Sequence, residues 1–312
     1  MINKPKFWDK KISLISIILL PLATLFFFLL FLKKKLYNAK KFNIPIICVG
    51  NIYVGGTGKT PTSILLAKEL TKLKKKPVIL RKYYKNHIDE YRLIKSKFKN
   101  LILGKNRTLA LNKLNKSSFD IAILDDGLQD YKIKKDVNIV CFNANQLIGN
   151  GLVLPSGPLR ENLSTLKNVD IVVINGKKVK SFEKKILKIN KNLNIFYSSY
   201  EPVNLEQFRN KRLLAVAGIG NPENFFKLIE NNNLKIDKKL VYPDHHKFSK
   251  KEVQSIIKEA KRKDCQIIMT EKDYFKIKDY KEDSIKYLKV SLKIVSLKKL
   301  LNKIKQIYDK NN

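Results

Sequence analysis

Gly50-Asn51-Ile52-Tyr53-Val54-Gly55-Gly56-Thr57-Gly58-Lys59-Thr60, GNIYVGGTGKT, is the stretch from which the rest of the chain can be understood. It ends as a phosphate-binding loop ends, in Gly-Lys-Thr. The G-x-x-x-x-G-K-[ST] template wants its first glycine five residues before Gly58, where this chain has Tyr53. A nearer pair, Gly55-Gly56, takes that place. Residues 44–49, IPIICV, predict a buried strand before the loop, and TPTSILLAKELTKL from Thr60 onward predicts a helix after it. This context is what a phosphate loop needs, because amides at a helix N-terminus point at an anion and the dipole favours negative charge. Gly55, Gly56, Thr57 and Gly58 let the backbone approach phosphates, Lys59 can reach the β and γ oxygens, and Thr60 can ligate Mg²⁺. Pro61 falls in the first helical turn, where its missing N–H costs little.

Outward from the loop, short apolar runs alternate with amphipathic stretches, the pattern of a parallel sheet with crossover helices. Further strands are predicted at 78–80, 120–124, 137–141, 169–174 and 195–197, and their Ile/Val richness without alternation predicts burial on both faces. A second series begins with RLLAVAGIG at Arg212 and continues through KLVYPDHH and CQIIMTEKD. With 312 residues, two domains are expected, and the polar stretch 198–211 separates them. The expected fold is α/β: a P-loop NTPase-like parallel sheet core with an N-terminal membrane helix and a second, smaller α/β domain. The expected bounds are 1–36 for the membrane anchor, 37–204 for the P-loop domain and 205–312 for the smaller domain.

The membrane helix is predicted from residues 12–32, ISLISIILLPLATLFFFLLFL, which carry no charge. As one helix they would extend about 31 Å, close to the hydrocarbon thickness of a bilayer. Trp8 precedes the run, Lys33, Lys34 and Lys35 follow it, and Pro21 interrupts it with the option of a kink or a shallow embedded hairpin. The basic flank predicts that the rest of the chain is cytoplasmic. A net charge of +37, from 64 basic and 27 acidic residues, could suggest nucleic acid. The excess is evenly spread lysine without an aromatic-interleaved basic motif, so no nucleic-acid partner is expected and an anionic lipid surface fits better. Cys48, Cys141 and Cys265 lie far apart with no CxxC spacing and are expected to be buried thiols.

DIAILDDGLQD, 120–130, predicts a strand ending in two carboxylates, Asp125 and Asp126. Acidic residues at the C-terminal edge of a parallel strand sit where ligands bind, and one of them could hold the Mg²⁺ that bridges nucleotide phosphates. His245 and His246 in YPDHHKF follow another predicted strand. Too few donors surround them for a zinc site, so acid/base or orienting work is the better expectation. Asp89 and Glu90 in IDEY, taken alone, are expected to be a solvated pair. LPSGPLRE, 154–161, predicts a rigid loop able to present Arg160 to a phosphate.

In order, an N-terminal apolar segment, GNIYVGGTGKTP, DEY, ILDDGLQ, GNG with LPSGPLRE, AGIGNPENFF, PDHHKF and MTEKD resemble the tetraacyldisaccharide 4'-kinase family over about residues 10–275. The resemblance implies an ATP- and Mg²⁺-dependent kinase. It would phosphorylate the 4'-hydroxyl of an acylated glucosamine disaccharide 1-phosphate, giving the lipid A precursor lipid IVA on the cytoplasmic face of the Gram-negative inner membrane. It implies that Asp89 is the catalytic carboxylate, His245 its partner, and Lys59 part of the catalytic set. It also implies that Asp125, Asp126 and Glu161 join Thr60 near the metal, and that Arg107 and Arg160 bind the nucleotide. Where the family usually has R-G-Y-G-G after the second strand, this chain has Arg81-Lys82-Tyr83-Tyr84-Lys85, and Ile88 replaces the glycine of G-D-E. The alternative is a membrane-tethered P-loop ATPase switch of the partitioning type. Such loops carry lysine before the glycine pair, where this chain has Val54.

Overall fold

The computed structural model describes residues 5–9, 12–85, 87–114, 117–244 and 246–311. The chain forms two compact units: Lys4–Tyr83, Asn100–Ser199 and Lys293–Asn312 make the larger, and Tyr84–Lys99 with Tyr200–Leu292 belong to the smaller.

The larger unit contains β1 (Ile46–Gly50), β2 (Pro77–Lys82), β3 (Leu101–Gly104), β4 (Ile121–Asp125), β5 (Val137–Asn143), β6 (Ile171–Asn175) and, as far as Ser199, β7 (Asn194–Pro202). β12 (Val290–Ile294) completes a sheet of order β12-β7-β6-β5-β1-β4-β2-β3, in which the neighbours from β7 to β3 pair in parallel. β1 is buried along its whole length, as its unbroken apolar run requires of a central parallel strand. It lies between β4 and β5, which brings the end of β1 and the Asp125 end of β4 to one edge of the sheet. α3 (Lys59–Lys72) packs against this part of the sheet. Cys48, Ile52, Tyr53, Leu80, Leu124 and Phe142 belong to one continuous core that also takes in Leu111 and Leu114. Gly50 closes β1 because a Cβ there would stand 2.6 Å from the Leu128 Cβ.

The smaller unit contains α4 (Ile88–Lys97), β8 (Leu213–Ala217), α7 (Pro222–Glu230), β9 (Ile236–Val241), α8 (Lys250–Arg262), β10 (Gln266–Thr270), α9 (Glu271–Ile277) and β11 (Ile285–Leu288). Its sheet runs β11-β10-β8-β9, parallel throughout. Strand alternation builds two cores. Leu213, Ala215 and Ala217 join Phe226 and Ile229 of α7 on one face, and Leu214 and Val216 join Val253 and Ile256 of α8 on the other. A capping box between Ser249 and Glu252 fixes the start of α8.

Two sequence expectations need correction. The apolar run 12–32 is not one span: α1 (Leu14–Ile18) ends at Leu19 and α2 (Leu20–Leu36) begins there, with Pro21 in its first turn. Proline has no N–H to continue the hydrogen-bond ladder and so starts a new helix. Among the described residues no helix is long and apolar enough to cross a membrane, so the expected membrane helix is not supported. Of the thiols, Cys48 and Cys141 are buried but Cys265 is only partly so, because it lies in the turn just before β10.

Candidate active site

The phosphate loop of the larger unit is held from both sides. Val54 N–H donates to the Pro158 carbonyl at 2.9 Å and Arg160 N–H to the Ile52 carbonyl at 2.7 Å, which fastens the LPSGPLRE loop to the phosphate loop. Inside the turn, Asn51 Nδ2 donates to the carbonyls of Tyr53, at 2.6 Å, and Gly55, at 3.2 Å. Gly58 has φ +92°, a left-handed conformation that glycine adopts without strain, and α3 starts at the next residue. Nothing lies within 4 Å of a Cβ built on Gly56, so the backbone there is open to a ligand. The Thr57 hydroxyl is buried and has no hydrogen-bond partner among the described residues. An unsatisfied buried hydroxyl beside exposed glycine backbone suits a phosphate.

At the end of β4, Asp125 is fully buried. Its carboxylate accepts from Thr60 Oγ1 at 3.0 Å and from Ser63 Oγ at 3.1 Å, and it forms an ion pair with Arg81 at the end of β2. Arg81 also donates to Thr60 Oγ1 at 3.0 Å. Asp126, at φ 57°, turns its side chain the other way. It accepts from Arg160 Nη1 at 3.1 Å and faces Lys59 Nζ at 3.9 Å. Arg107, at the start of α5 (Arg107–Leu114), donates to the main-chain carbonyls of Asp125 and Asp126 at 3.1 and 2.7 Å. Burial pushes the Lys59 ammonium below its usual pKa, with Asp126 pulling it partly back. Burial alone would raise the Asp126 pKa, but Lys59, Arg160, Arg81 and Arg107 together hold it below the usual carboxylate value.

Glu161 sits in a neighbouring cluster. It accepts from Gln129 Nε2 at 2.9 Å and Thr165 Oγ1 at 3.0 Å, and Gln129 also donates to the Asn51 carbonyl. The larger unit thus gathers Gly55, Gly56, Thr57, Gly58, Lys59, Thr60, Arg107, Asp125, Asp126 and Arg160 around one loop, with Glu161 linked through Gln129. Arg81 and Ser63 belong to the same network, although sequence reading assigned them no part. The signals were there: Arg81 directly follows the predicted strand 78–80, and Ser63 lies one helical turn after Lys59.

Asp89 belongs to the smaller unit, in the first turn of α4. It is buried, with 6% exposure, rather than solvated as its residues alone suggest, because α4 packs along α9. Arg92 donates to the Phe275 carbonyl at 3.1 Å and to Asp279 at 2.8 Å, and Lys97 pairs with Glu271 at 2.5 Å. His245 lies outside the described residues. His246 stacks on Tyr242 with ring centroids 4.9 Å apart and contacts Glu252 at 3.0 Å.

A family model described as Tetraacyldisaccharide-1-P 4'-kinase matches residues 15–309. A Tetraacyldisaccharide 4'-kinase of Pelagibacter ubique is 43% identical over 99% of both chains. One from Francisella tularensis subsp. novicida is 33% identical over 93% of this chain and 98% of its own. The crystal structure of LpxK from Aquifex aeolicus in complex with ATP superposes with a TM-score of 0.73 over 95% of this chain and all of that one. At 24% identity, it shows that the fold is shared. By the family match over nearly its whole length, the chain belongs to the Tetraacyldisaccharide-1-P 4'-kinase family.

Proposed function

We propose that this chain transfers the γ-phosphoryl group of ATP to the 4'-hydroxyl of a tetraacyldisaccharide 1-phosphate, forming lipid IVA. The observation that carries this reading is the phosphate loop with its partners: Lys59 and Thr60 open α3 and face Asp126 and Asp125 at the end of β4. Family membership supplies the acceptor.

In this reading the loop amides and Lys59 hold the β- and γ-phosphates, and Arg160 and Arg107 fix Asp126 and the β4 end from the other side. The donor set suits Mg²⁺, since a hydroxyl and a carboxylate 3.0 Å apart are hard oxygen ligands. Thr60 and Asp125 would hold the ion, with Asp126 and Glu161 around it. When bound, it would offset charge developing on the transferred group. The acceptor oxygen forms its bond to the γ-phosphorus while the bond to the β–γ bridging oxygen breaks. ADP leaves, and Asp89, partnered by His245, takes the hydroxyl proton.

A lipid acceptor suits a reaction at a membrane surface, which this reading takes to be the cytoplasmic face of the inner membrane. Exposed Leu14, Ile18, Phe28 and Phe31 on α1 and α2, followed by Lys33, Lys34 and Lys35, support docking to anionic lipid without requiring a span. The test is ADP release from Mg-ATP with and without the acylated disaccharide 1-phosphate. Release that depends on the disaccharide is expected. Steady hydrolysis indifferent to it would favour the membrane-tethered ATPase switch.

A further inference from the structure

The MTEKD motif has no part in the chemistry above, yet the start of α9 ties together the signature segments of the smaller unit. Thr270 caps the helix, donating to Asp273 Oδ2 at 2.6 Å and accepting from Asp273 N–H at 3.1 Å. Asp273 is fully buried and also accepts from the Gly218 amide, in the AGIG stretch, at 2.7 Å. Its charge is met by Lys276 at 2.6 Å. Between these fixed points, Lys272 points its ammonium at two carboxylates from distant parts of the sequence. Glu90 Oε1 lies 3.2 Å away and Asp244 Oδ1 3.3 Å away. The Lys272 side chain is 18% exposed, and Glu90 is equally sheltered at 16%. On its other side Glu90 is 3.5 Å from His87 Nδ1.

Glu90 directly follows Asp89, and Asp244 directly precedes His245. One cation therefore joins the two segments that carry the proposed proton acceptor and its partner. Without that cation, Glu90 and Asp244 would be two like charges brought near one another, and they would repel. We infer that Lys272 is a positioning residue for phosphoryl transfer. It holds the first turn of α4 to the loop after β9 so that Asp89 is presented in a fixed orientation. This rests on the proposed kinase reading.

The test compares wild type with K272M and K272R. Each is measured for kcat of lipid phosphorylation, KM for ATP, stoichiometry of binding to a non-hydrolysable ATP analogue, and thermal midpoint. Displacing a reacting group by about 1 Å can cost about 100-fold in rate. K272M is expected to lose about tenfold to 100-fold in kcat while nucleotide stoichiometry and KM for ATP stay within about twofold, and K272R is expected to recover most of the loss. Those two readouts separate positioning from a loss of folded protein, which would lower stoichiometry in step with rate. An unchanged kcat in K272M, or a loss that follows nucleotide stoichiometry, would overturn the inference while leaving the kinase reading intact. A wild-type protein that fails to phosphorylate the lipid would remove both.

Discussion

Thr60 Oγ1 donates to Asp125 Oδ2 across 3.0 Å, joining the residue after the loop lysine to the last residue of β4. The link sets the hydroxyl and the carboxylate in one orientation. Thr60→Ala is expected to lower kcat about 100-fold and to raise the Mg²⁺ concentration needed for half-maximal rate. Lys59→Met, which removes the charge proposed to hold the phosphates, is expected to cost about 100-fold to 1,000-fold in kcat/KM. Steady-state kinetics at several Mg²⁺ concentrations would check both. Losses below about threefold would exclude these side chains from the reaction.

Arg81 carries the structural counterpart of that link. Its guanidinium is the cation partner of fully buried Asp125. Arg81→Met leaves a charge in the core without compensation, and the expected loss is about 3–5 kcal/mol of unfolding free energy, measured by urea denaturation. The double variant R81M/D125N should recover part of it, since both charges are then gone.

Acid stability should report Asp126. Its folded pKa lies below the ordinary 3.8. The unfolded chain therefore binds the proton more readily, and the contribution is fully present above 3.8 and lost as pH falls through the folded value. Asp126→Asn is expected to show a shallower decline in unfolding free energy between about pH 5 and about pH 2 than wild type. Parallel declines would show that its cation neighbours do not stabilise the charged form.

The proposed docking of α1 and α2 to lipid makes a separate expectation. Phe28 and Phe31 are each about half exposed, at 53% and 52%. Phe28→Ser with Phe31→Ser is expected to lower binding to vesicles containing anionic lipid by roughly tenfold, read by co-sedimentation. Raising the salt should weaken binding further, through screening of Lys33, Lys34 and Lys35.

The central strands and the phosphate loop were legible because they obey local rules. An apolar run, a glycine turn and a helix signal follow one another from residue 44, and β1 and α3 lie where those signals put them. β3 was missed because four half-exposed residues at a sheet edge carry too little pattern. The length of the apolar run suggested a span, but hydropathy sums over residues and does not register that Pro21 ends one ladder and starts another. Asp89 shows the limit most clearly. Nothing in IDEY says that α4 will lie along α9, roughly half the chain later, and that packing is what buries the carboxylate. Lys272 was silent for the same reason, as its two partners come from sequence positions 90 and 244.

The proposed reaction is phosphoryl transfer from ATP to the 4'-oxygen of the lipid disaccharide. The most direct measurement supplies ATP labelled in the γ-phosphate together with Mg²⁺ and tetraacyldisaccharide 1-phosphate, then locates the label in the product by mass spectrometry and phosphorus NMR. The expected result is one labelled phosphate on the distal sugar at its 4'-position, formed by wild type and nearly absent with Lys59→Met. Label appearing only as inorganic phosphate, at equal rates with and without the lipid, would contradict it.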